Sequence, residues 1–360
     1  MLGAIWLEIS SIVEIISVIL AVPNNMLLLY CIFNKSPKKF GNYRYLMAFF
    51  TYQSIWFSII TLFLNVNYYT FETSISIFVR RNLLGLPVVG MAVLTCLACS
   101  SNCMMFVALA VQFLYRYFAM TKSSKLQIFN SWRMPLWYAA MICVSLFFGI
   151  IVFICGYLME QERVVGFRES LFSTFEIPVN STIYYARMTY YTRNSTTNDL
   201  EFDLCSLGCV FLLVLSISPV SVMFYCGIRT YRRMSKATSQ LSNHMKLQKE
   251  LFQALLIQST VPCIFLFFPS LIYFLFPLFN LELGLFSNIS GITFVIYPVL
   301  DPIAVMYVIK HYRCFIFKLF CLSHKITPKA EDTEDVPANV VEVKMEGNNP
   351  IYMSFNSIPG

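Results

Sequence analysis

The sequence predicts an all-α membrane protein, a bundle of seven transmembrane helices with the N-terminus outside and the C-terminus inside. Three observations lead to this fold class. The chain is 58% hydrophobic and only 12% charged, whereas about 25% of the residues in a soluble globular chain are charged. Seven apolar stretches are long enough to cross the roughly 30 Å hydrocarbon core of a bilayer. Lys and Arg residues avoid these stretches and cluster in alternate gaps between them.

Each predicted crossing is a run of about 20 or more predominantly apolar residues. Helices are expected because lipid offers no partner for backbone polar groups. Prolines such as Pro219, Pro262 and Pro298 lie inside the runs, where a membrane bundle tolerates them as kinks. The first run lacks a basic flank before it and is too long for a signal peptide, so we expect an uncleaved anchor. The runs are 10–33, 45–64, 86–114, 135–158, 204–228, 251–276 and 287–308.

The distribution of basic residues orients the bundle. Gaps one, three and five and the C-terminal tail together hold 20 Lys and Arg, and the opposite side holds 6. Because cytoplasmic loops carry the excess of basic residues, the N-terminus is predicted outside. Two glycosylation sequons, at Asn180 and Asn194, fall in the long fourth gap on the predicted outer side, where glycosylation acts.

The segments outside the crossings divide the chain into a membrane domain and a tail. Residues 1–320 are predicted to form the seven-transmembrane domain, ending in a short amphipathic helix on the inner membrane surface. Cys314 and Cys321 in this region are candidate palmitoylation sites. Residues 321–360 are polar and contain an acidic run, which predicts a disordered cytoplasmic tail. The long fourth gap, residues 159–203, fits either a lid over the bundle or a mobile glycosylated loop.

Several classes of seven-helix protein are disfavoured by missing residues. Membrane zinc hydrolases need several histidine ligands, yet His244, His311 and His324 all lie in predicted cytoplasmic segments. A retinal protein needs a lysine inside the seventh crossing, and Lys310 lies at its inner end. No nucleophile, metalloprotease or phosphate-binding motif occurs. We therefore expect no enzyme activity, metal, cofactor or nucleic-acid partner.

Two acidic residues, Glu14 and Asp301, lie within predicted crossings. An ionisable residue inside the membrane is a functional candidate. Glu14 is close enough to the outer end of its crossing that it could instead reach the headgroups. Asp301 is deeper and precedes Pro302, so it either takes part in a switch or only fixes packing. Its expected partners are polar groups such as Asn24, Asn25 or Asn102.

Five segments resemble one receptor family, the nematode serpentine chemoreceptors of the Str type. The resemblance covers most of the chain up to about Phe320, with the segments in the same order. It implies a G-protein-coupled receptor for environmental chemicals in the plasma membrane of a sensory neuron, at the cilium, with a heterotrimeric G protein as partner. The segments are YPVLDPIAVMYVIKHYR (297–313), SPKKFGNYRYLM (36–47), LYRYFA (114–119), LQKELFQALLIQST (247–260) and PLFNLELG (277–284).

The resemblance also implies a coupling and switch region on the inner side. Arg116 stands where rhodopsin-like receptors place an arginine at the end of helix three, but no acid precedes it, so the usual ionic lock is not expected. The disulfide that usually joins helix three to an outer loop is missing, and whether Cys155 and Cys205 replace it stays open. The assigned residues are Arg116, Tyr117, Arg232, Arg233, Lys246, Asp301, Pro302, Tyr307, Lys310 and Arg313.

The expected ligand is a small, uncharged molecule bound among the third, fifth, sixth and seventh crossings. The third crossing contains no acid, which disfavours an amine ligand, and a fairly apolar molecule suits such a site better. Each candidate residue could equally be a packing residue. The candidates are Thr95, Cys99, Phe265, Phe268, Tyr273, Thr293 and Phe294.

Two rival functions remain open on the sequence alone. A ligand-gated channel, as in insect odorant receptors, has the same number of crossings but places its N-terminus inside. A small-molecule transporter or a non-signalling scaffold is the other alternative, and robust substrate uptake without a G protein would favour it.

The predicted orientation distinguishes the receptor from the inverted channel. An epitope tag at the N-terminus should bind antibody on intact cells, because the basic gaps hold the opposite side in the cytoplasm. A C-terminal tag serves as the control and should stain only after permeabilisation. An N-terminal tag that is protected on intact cells would contradict the orientation and favour the channel.

Overall fold

The computed structural model describes residues 2–37, 40–80, 82–121, 123–159, 165–177, 184–193, 200–202, 204–236 and 243–319. Residues 1–315 belong to one compact unit, and the described part of the second unit is the stretch 316–319. The predicted glycosylation sites Asn180 and Asn194, the palmitoylation candidate Cys321 and the tail 321–360 lie outside the described residues, so those assignments stay predictions.

The described residues form ten α-helices and five short strands. A π-helical turn, Ile154–Leu158, continues α4, and another, Cys263–Phe267, joins α7 to α8. The helices are α1 Leu2–Asn34, α2 Tyr43–Leu64, α3 Val88–Thr121, α4 Met134–Phe153, α5 Val165–Phe175, α6 Leu204–Lys236, α7 Asn243–Pro262, α8 Phe268–Leu278, α9 Asn288–Val308 and α10 Lys310–Leu319. The strands are β1 Val66–Phe71, β2 Ser74–Val79, β3 Tyr184–Thr189, β4 Tyr191–Arg193 and β5 Leu200–Phe202.

Seven helical spans are long and apolar enough to cross a membrane, which confirms the predicted fold class. They are α1, α2, α3, α4 with its π turn, α6, the α7–α8 pair and α9. Several helices run past the predicted crossings: α1 begins at Leu2, α3 ends at Thr121 and α6 ends at Lys236. A helix need not stop at the membrane surface, because water can satisfy the backbone groups of its ends.

The third span, α3, is the central helix of the bundle. Its most apolar window is 67% buried inside the protein, whereas the corresponding window of α6 is 28% buried. It contacts α2, α4, α6 and α7. Most residues of its apolar window therefore face the rest of the protein rather than lipid, and it is the span best placed to connect the two sides of the membrane.

A three-stranded antiparallel sheet covers the end of the bundle that the charge pattern places outside, and we call it the outer sheet. Strands β1, β2 and β3 are paired in that order, so that Ile77 lies opposite both Tyr68 and Ala186. The β1–β2 hairpin turns at Glu72 and Thr73, and Glu72 has a positive φ of 49°. The sequence prediction did not include this sheet. A second, two-stranded sheet pairs β4 with β5.

Hydrogen bonds and aromatic packing fix the outer sheet to the helices. The Tyr273 hydroxyl of α8 donates to the backbone oxygen of Ser76 at 2.6 Å. On the other face, Phe167, Leu171 and Phe175 of α5 pack with Tyr69 of β1 in one buried cluster. The outer sheet is therefore held between the bundle and α5, and it is not a loose loop.

A chain of buried amides links β1 to α1 and α9. The Asn65 amide donates to the Glu14 carboxylate at 2.6 Å, and the Asn67 amide donates to the Asn65 backbone oxygen at 2.8 Å. The Asn288 amide of α9 donates to Asn67 Oδ1 at 3.1 Å and accepts from the Tyr68 backbone N–H. Glu14 is 4% exposed, so it does not extend to the headgroups. Through its contact with Asn65 it fixes the start of the outer sheet.

Helices α3 and α4 approach each other closely at Gly149. A Cβ atom there would collide with Ser100 Oγ and lie 2.8 Å from the Cys96 carbonyl oxygen. Replacing Gly149 by Leu should force the helices apart at a cost of about 1–3 kcal/mol or more, seen as a lower melting temperature of the purified protein. Ala140→Leu, at an exposed position of the same helix, is the control and should melt like the wild type. Equal melting of the two variants would contradict this packing.

Candidate ligand cavity and inner switch region

A cavity lies inside the bundle, directly beneath the outer sheet. Its volume is about 70 Å³. Helices α2, α3, α4, α6, α8 and α9 form its walls, and strands β1, β2 and β3 form its roof. The lining residues are Phe57, Thr61, Val66, Tyr68, Ile75, Ile77, Thr95, Ala98, Cys99, Asn102, Cys103, Phe106, Phe148, Val152, Ala186, Met188, Leu212, Ser216, Ser270, Tyr273, Phe274 and Phe294.

Four of the seven residues that the sequence suggested for ligand binding line this cavity: Thr95, Cys99, Tyr273 and Phe294. They come from α3, α8 and α9, which the structure brings together around one space. The positions fit the predicted depth because each of these residues lies in the outer half of its span.

The other three suggested residues, Phe265, Phe268 and Thr293, do not line the cavity. Phe268 is 54% exposed on the lipid side. The π turn at Cys263–Phe267 adds a residue to the helical turn and so rotates the faces that follow it. Thr293 lies on the face next to Phe294, where its hydroxyl donates to the Ser290 backbone oxygen at 2.8 Å.

The sequence analysis missed the contribution of the outer sheet to the cavity. Six lining residues come from its strands, among them Tyr68, Ile77 and Met188. The alternation of Ser and Ile in residues 74–77 was a signal for a half-buried strand, but the run is short and follows a long apolar helix. Asn102 and Phe106 of α3 were also not assigned to ligand binding.

The cavity is aromatic and uncharged. None of the described residues that line it is acidic or basic. The Tyr68 ring meets the rings of Tyr273 and Phe294 edge to face, with centroids 5.4 Å and 5.3 Å apart. Such pairs are favourable beyond the area they bury, so they hold the roof of the cavity against two helices.

Tyr190, between β3 and β4, fastens the roof to α6 and α8. Its hydroxyl donates to the Phe274 backbone oxygen at 3.0 Å, and Ser206 Oγ donates to its backbone oxygen. Burial raises the pKa of the Tyr190 phenol above its ordinary value. The group therefore stays neutral, and remains a hydrogen-bond donor, across the physiological pH range.

Cys155 and Cys205 do not form a disulfide. The Cys205 thiol donates to the Cys155 backbone oxygen at 3.5 Å. The two residues thus meet, as their positions in the sequence suggested, but as packed thiols between the π turn after α4 and the start of α6. Hydrogen bonds, rather than a disulfide between these two residues, connect the outer sheet to the bundle.

On the inner side, Arg116 is stacked on an aromatic ring. Its guanidinium carbon lies 3.5 Å from the centroid of the Tyr43 ring, and only 1% of the residue is exposed. The Tyr43 hydroxyl donates to Gln112 Oε1 at 3.1 Å. Arg116 therefore makes a cation–π contact with an aromatic ring from the first turn of α2. In this structure Arg116 does not contribute to the inner surface.

Asp301 is buried on α9, with 1% of the residue exposed. The Gln258 side chain of α7 lies beside its carboxyl group, and Tyr297 lies one turn away. The Asn25 amide donates to the Pro298 backbone oxygen at 2.9 Å. Asn25 therefore reaches the same part of α9, whereas Asn102 lines the cavity. Gln258 was not among the partners that the sequence suggested.

The remaining inner residues lie near the ends of the helices. Arg232 and Arg233 of α6 and Lys310 of α10 are exposed. Arg313 donates to the Tyr307 backbone oxygen at 3.2 Å and lies over the Tyr307 ring. Of the other assigned residues, Tyr117 on α3 and Cys314 on α10 are half-buried, and Pro302 on α9 is buried. Lys246 lies on α7, and its side chain is outside the described part.

Comparison with known proteins agrees with the seven-span architecture. The family model described as serpentine type seven-transmembrane G-protein-coupled chemoreceptor Str matches residues 10–317. Serpentine receptor class r-10 of Caenorhabditis elegans is 28% identical over 323 residues, which cover 89% of this chain and 94% of that protein. G-protein coupled receptor str-33 of the same organism is 25% identical, with 89% of this chain and 92% of that protein covered.

Among solved structures, squid rhodopsin has a similar fold, with a TM-score of 0.56 at 11% identity, and the match covers 89% of this chain and 86% of that one. Both the helical architecture and the family match extend over nearly all of the membrane domain. The chain belongs to the Str family of serpentine seven-transmembrane G-protein-coupled chemoreceptors.

Proposed function

We propose that this receptor binds a small, uncharged environmental molecule in the cavity beneath the outer sheet and signals to a heterotrimeric G protein at its inner side. The observation that carries the proposal is the cavity itself, an aromatic space without charged lining residues in the described structure. A charged ligand would lose its hydration there without gaining a counter-ion. The protein would act in the plasma membrane of a sensory neuron, at the cilium.

The size of the cavity restricts the ligand further. Its volume is about 70 Å³, and on a comparable measure one water molecule needs roughly 10–15 Å³, which leaves room for about five to seven non-hydrogen atoms. Molecules of this size and polarity are commonly volatile, which supports an olfactory role.

The spans around the cavity offer a way to transmit binding. The cavity contacts both α3 and α8, and the π turn at Cys263–Phe267 interrupts the regular hydrogen bonding between α7 and α8. Pro262 and Pro269 flank this turn. Because π turns and prolines allow helices to bend, a ligand that contacts α8 could bias the position of α7 at the inner side.

G-protein coupling requires an inner surface that changes with that motion. Arg116 is buried on Tyr43 in this structure, while Arg232, Arg233 and Lys310 are exposed. A shift of α7 would let Arg116 leave the Tyr43 ring and join these basic residues on a surface that can meet an acidic or helical partner. The relative str-33 is named a G-protein coupled receptor, which supports this role.

Filling the cavity should reduce sensitivity to the ligand. Ala98 of α3 lines the cavity, so Ala98→Leu places three more carbons in the space and should raise the half-maximal ligand concentration about tenfold or more. Calcium responses to a panel of volatiles in cells that express a reporter G protein measure this. Val93→Leu, at an exposed position of the same helix, is the matched control and should respond like the wild type. Unchanged sensitivity of Ala98→Leu would place the ligand elsewhere.

The Arg116 side chain should be required for coupling but not for transport to the surface. Arg116→Ala removes the cation and should abolish the calcium response, with surface expression retained. Tyr43→Phe keeps both the cation and the aromatic face under it and loses the hydroxyl, which donates to Gln112 and is also hydrogen-bonded to Arg116. Because the cation is retained, this control should still signal. Full signalling by Arg116→Ala would refute the role assigned to this arginine.

A further inference from the structure

Two layers of structure cover the cavity on its outer side. The outer sheet lies directly over the cavity, and α5 packs against the opposite face of the sheet. Between these layers Tyr69 and Phe78 are at most 3% exposed. Tyr190 and the contact of Asn65 with Glu14 fasten the sheet to the helices. A ligand that entered through the described roof would have to break this packing.

The side walls of the cavity are packed unequally around α6. This helix lies closely along α3, and its contact with the fourth span is tight, because a Cβ atom at Gly208 would collide with Cys155 Sγ and lie 3.6 Å from Ile151. On the opposite edge, in the described structure, α6 makes few contacts with α8 and fewer with α7. We call this loosely packed boundary between α6 and α8 the α6–α8 seam.

The cavity extends to the α6–α8 seam. Ser216 of α6 lines the cavity on one side of the seam, and Ser270 and Phe274 of α8 line it on the other. Nearer the outer end, the Tyr190 hydroxyl lies beside Cys209 of α6 and donates to the Phe274 backbone oxygen at 3.0 Å. A side chain from the roof therefore joins the two helices where they pack little against each other.

The seam is apolar along its length. The part of α6 that faces the membrane, residues 204–228, and all of α8 contain no charged residue. Leu213 of α6 and Leu271 of α8 are half-buried there, and the Ser216 hydroxyl already donates to its own helix, to the Leu212 backbone oxygen at 2.9 Å. An uncharged molecule can cross such a boundary at little cost, whereas an ion would lose its hydration.

An irregular turn beside the seam gives α8 a place to bend. Helix α8 follows directly on the π turn Cys263–Phe267, and Pro269 lies in its first turn. Phe267 of the π turn contacts Phe106 of α3, with ring centroids 5.9 Å apart. Because π turns and prolines allow a helix to bend, α8 can swing away from α6 while the turn stays packed on α3. Such a bend would widen the seam.

Resting on the proposed function, we propose that the ligand enters the cavity sideways from the bilayer, through the α6–α8 seam, and that the ligand class is small neutral molecules that dissolve in lipid. The membrane collects such molecules from water, because burying their apolar surface is favourable. Passage through the seam and occupancy of the cavity are separate steps. Obstructing the seam therefore slows binding and release together and leaves the affinity nearly unchanged.

The proposal is tested with fluorobenzene, a neutral, lipid-soluble probe that falls within the size of the cavity. Fluorine NMR exchange measurements on the purified full-length receptor in lipid nanodiscs give its association rate, dissociation rate and Kd without a G protein. Leu213→Trp places a larger ring in the seam, beside the cavity-lining Leu212. It should slow both rates about tenfold or more and leave the Kd within about twofold of the wild type.

Matched controls separate the seam from the lipid face of the same helices. Leu207→Trp makes the same substitution at an exposed position of α6, and it should keep both rates within about twofold of the wild type. A second pair tests the other side of the seam: Leu271→Trp of α8 should slow exchange, and Ile272→Trp, at an exposed position beside it, should not. Either pair suffices if a variant of the other folds poorly.

The outcomes separate this inference from the proposed function. If fluorobenzene binds but exchanges as fast in the seam variants as in their controls, or if only its dissociation rate changes, entry through the seam is overturned and the cavity remains the ligand site. If fluorobenzene does not bind the wild type, or binds Ala98→Leu equally well, both proposals fail. If the seam variants slow exchange but calcium responses are absent with every G protein tested, the inference stands and the proposed signalling function fails.

Discussion

The bilayer core contains no water, so the polar groups of this chain must find their partners within the protein. This constraint produces the helices, because a helix satisfies its own backbone. It also explains the behaviour of hydroxyl side chains inside the spans: Thr51, Ser58 and Ser145 each donate to the carbonyl oxygen four residues earlier. Several groups among the described residues depart from this economy, among them the buried amide oxygen of Asn102, which has no hydrogen-bond partner, and the buried carboxyl group of Asp301.

The same constraint determines what the sequence could predict. The seven spans follow from apolar length alone, and the confirmed fold and family rest on that pattern and on motifs local in the sequence. The ends of the helices do not follow from it, because α3 and α6 continue into water, where backbone groups have solvent partners. The orientation of the termini stays a prediction from the distribution of basic residues. Depth along a span was enough to suggest Thr95, Cys99, Tyr273 and Phe294, which lie together at the cavity.

The roof of the cavity could not be predicted, because its contacts are distant in the sequence. Ile77 pairs with Ala186, and Tyr68 is held by Asn288. Strands of six residues carry weak local signals, and their stability comes from the helices beneath them and α5 above them. The π turn between α7 and α8 was not predicted either, and Phe268, which was suggested from its depth in the span, is exposed on the lipid side. The face on which a side chain lies near an irregular turn depends on the packing that produces the turn.

Helix α3 connects the cavity with the inner side. Asn102 and Arg116 are separated by roughly 20 Å along this helix. At the level of the cavity, Phe106 meets Phe267 of the π turn, with ring centroids 5.9 Å apart. Nearer the inner side, Phe113 meets Phe252 of α7 at 6.4 Å, one helical turn from Arg116. Phe106 therefore contacts the irregular end of α7, and the middle of α7 contacts α3 one helical turn before the stacked arginine. Because α3 is regular and α7–α8 is not, we propose that relative motion of these helices occurs at the π turn and that activation separates Arg116 from the Tyr43 ring.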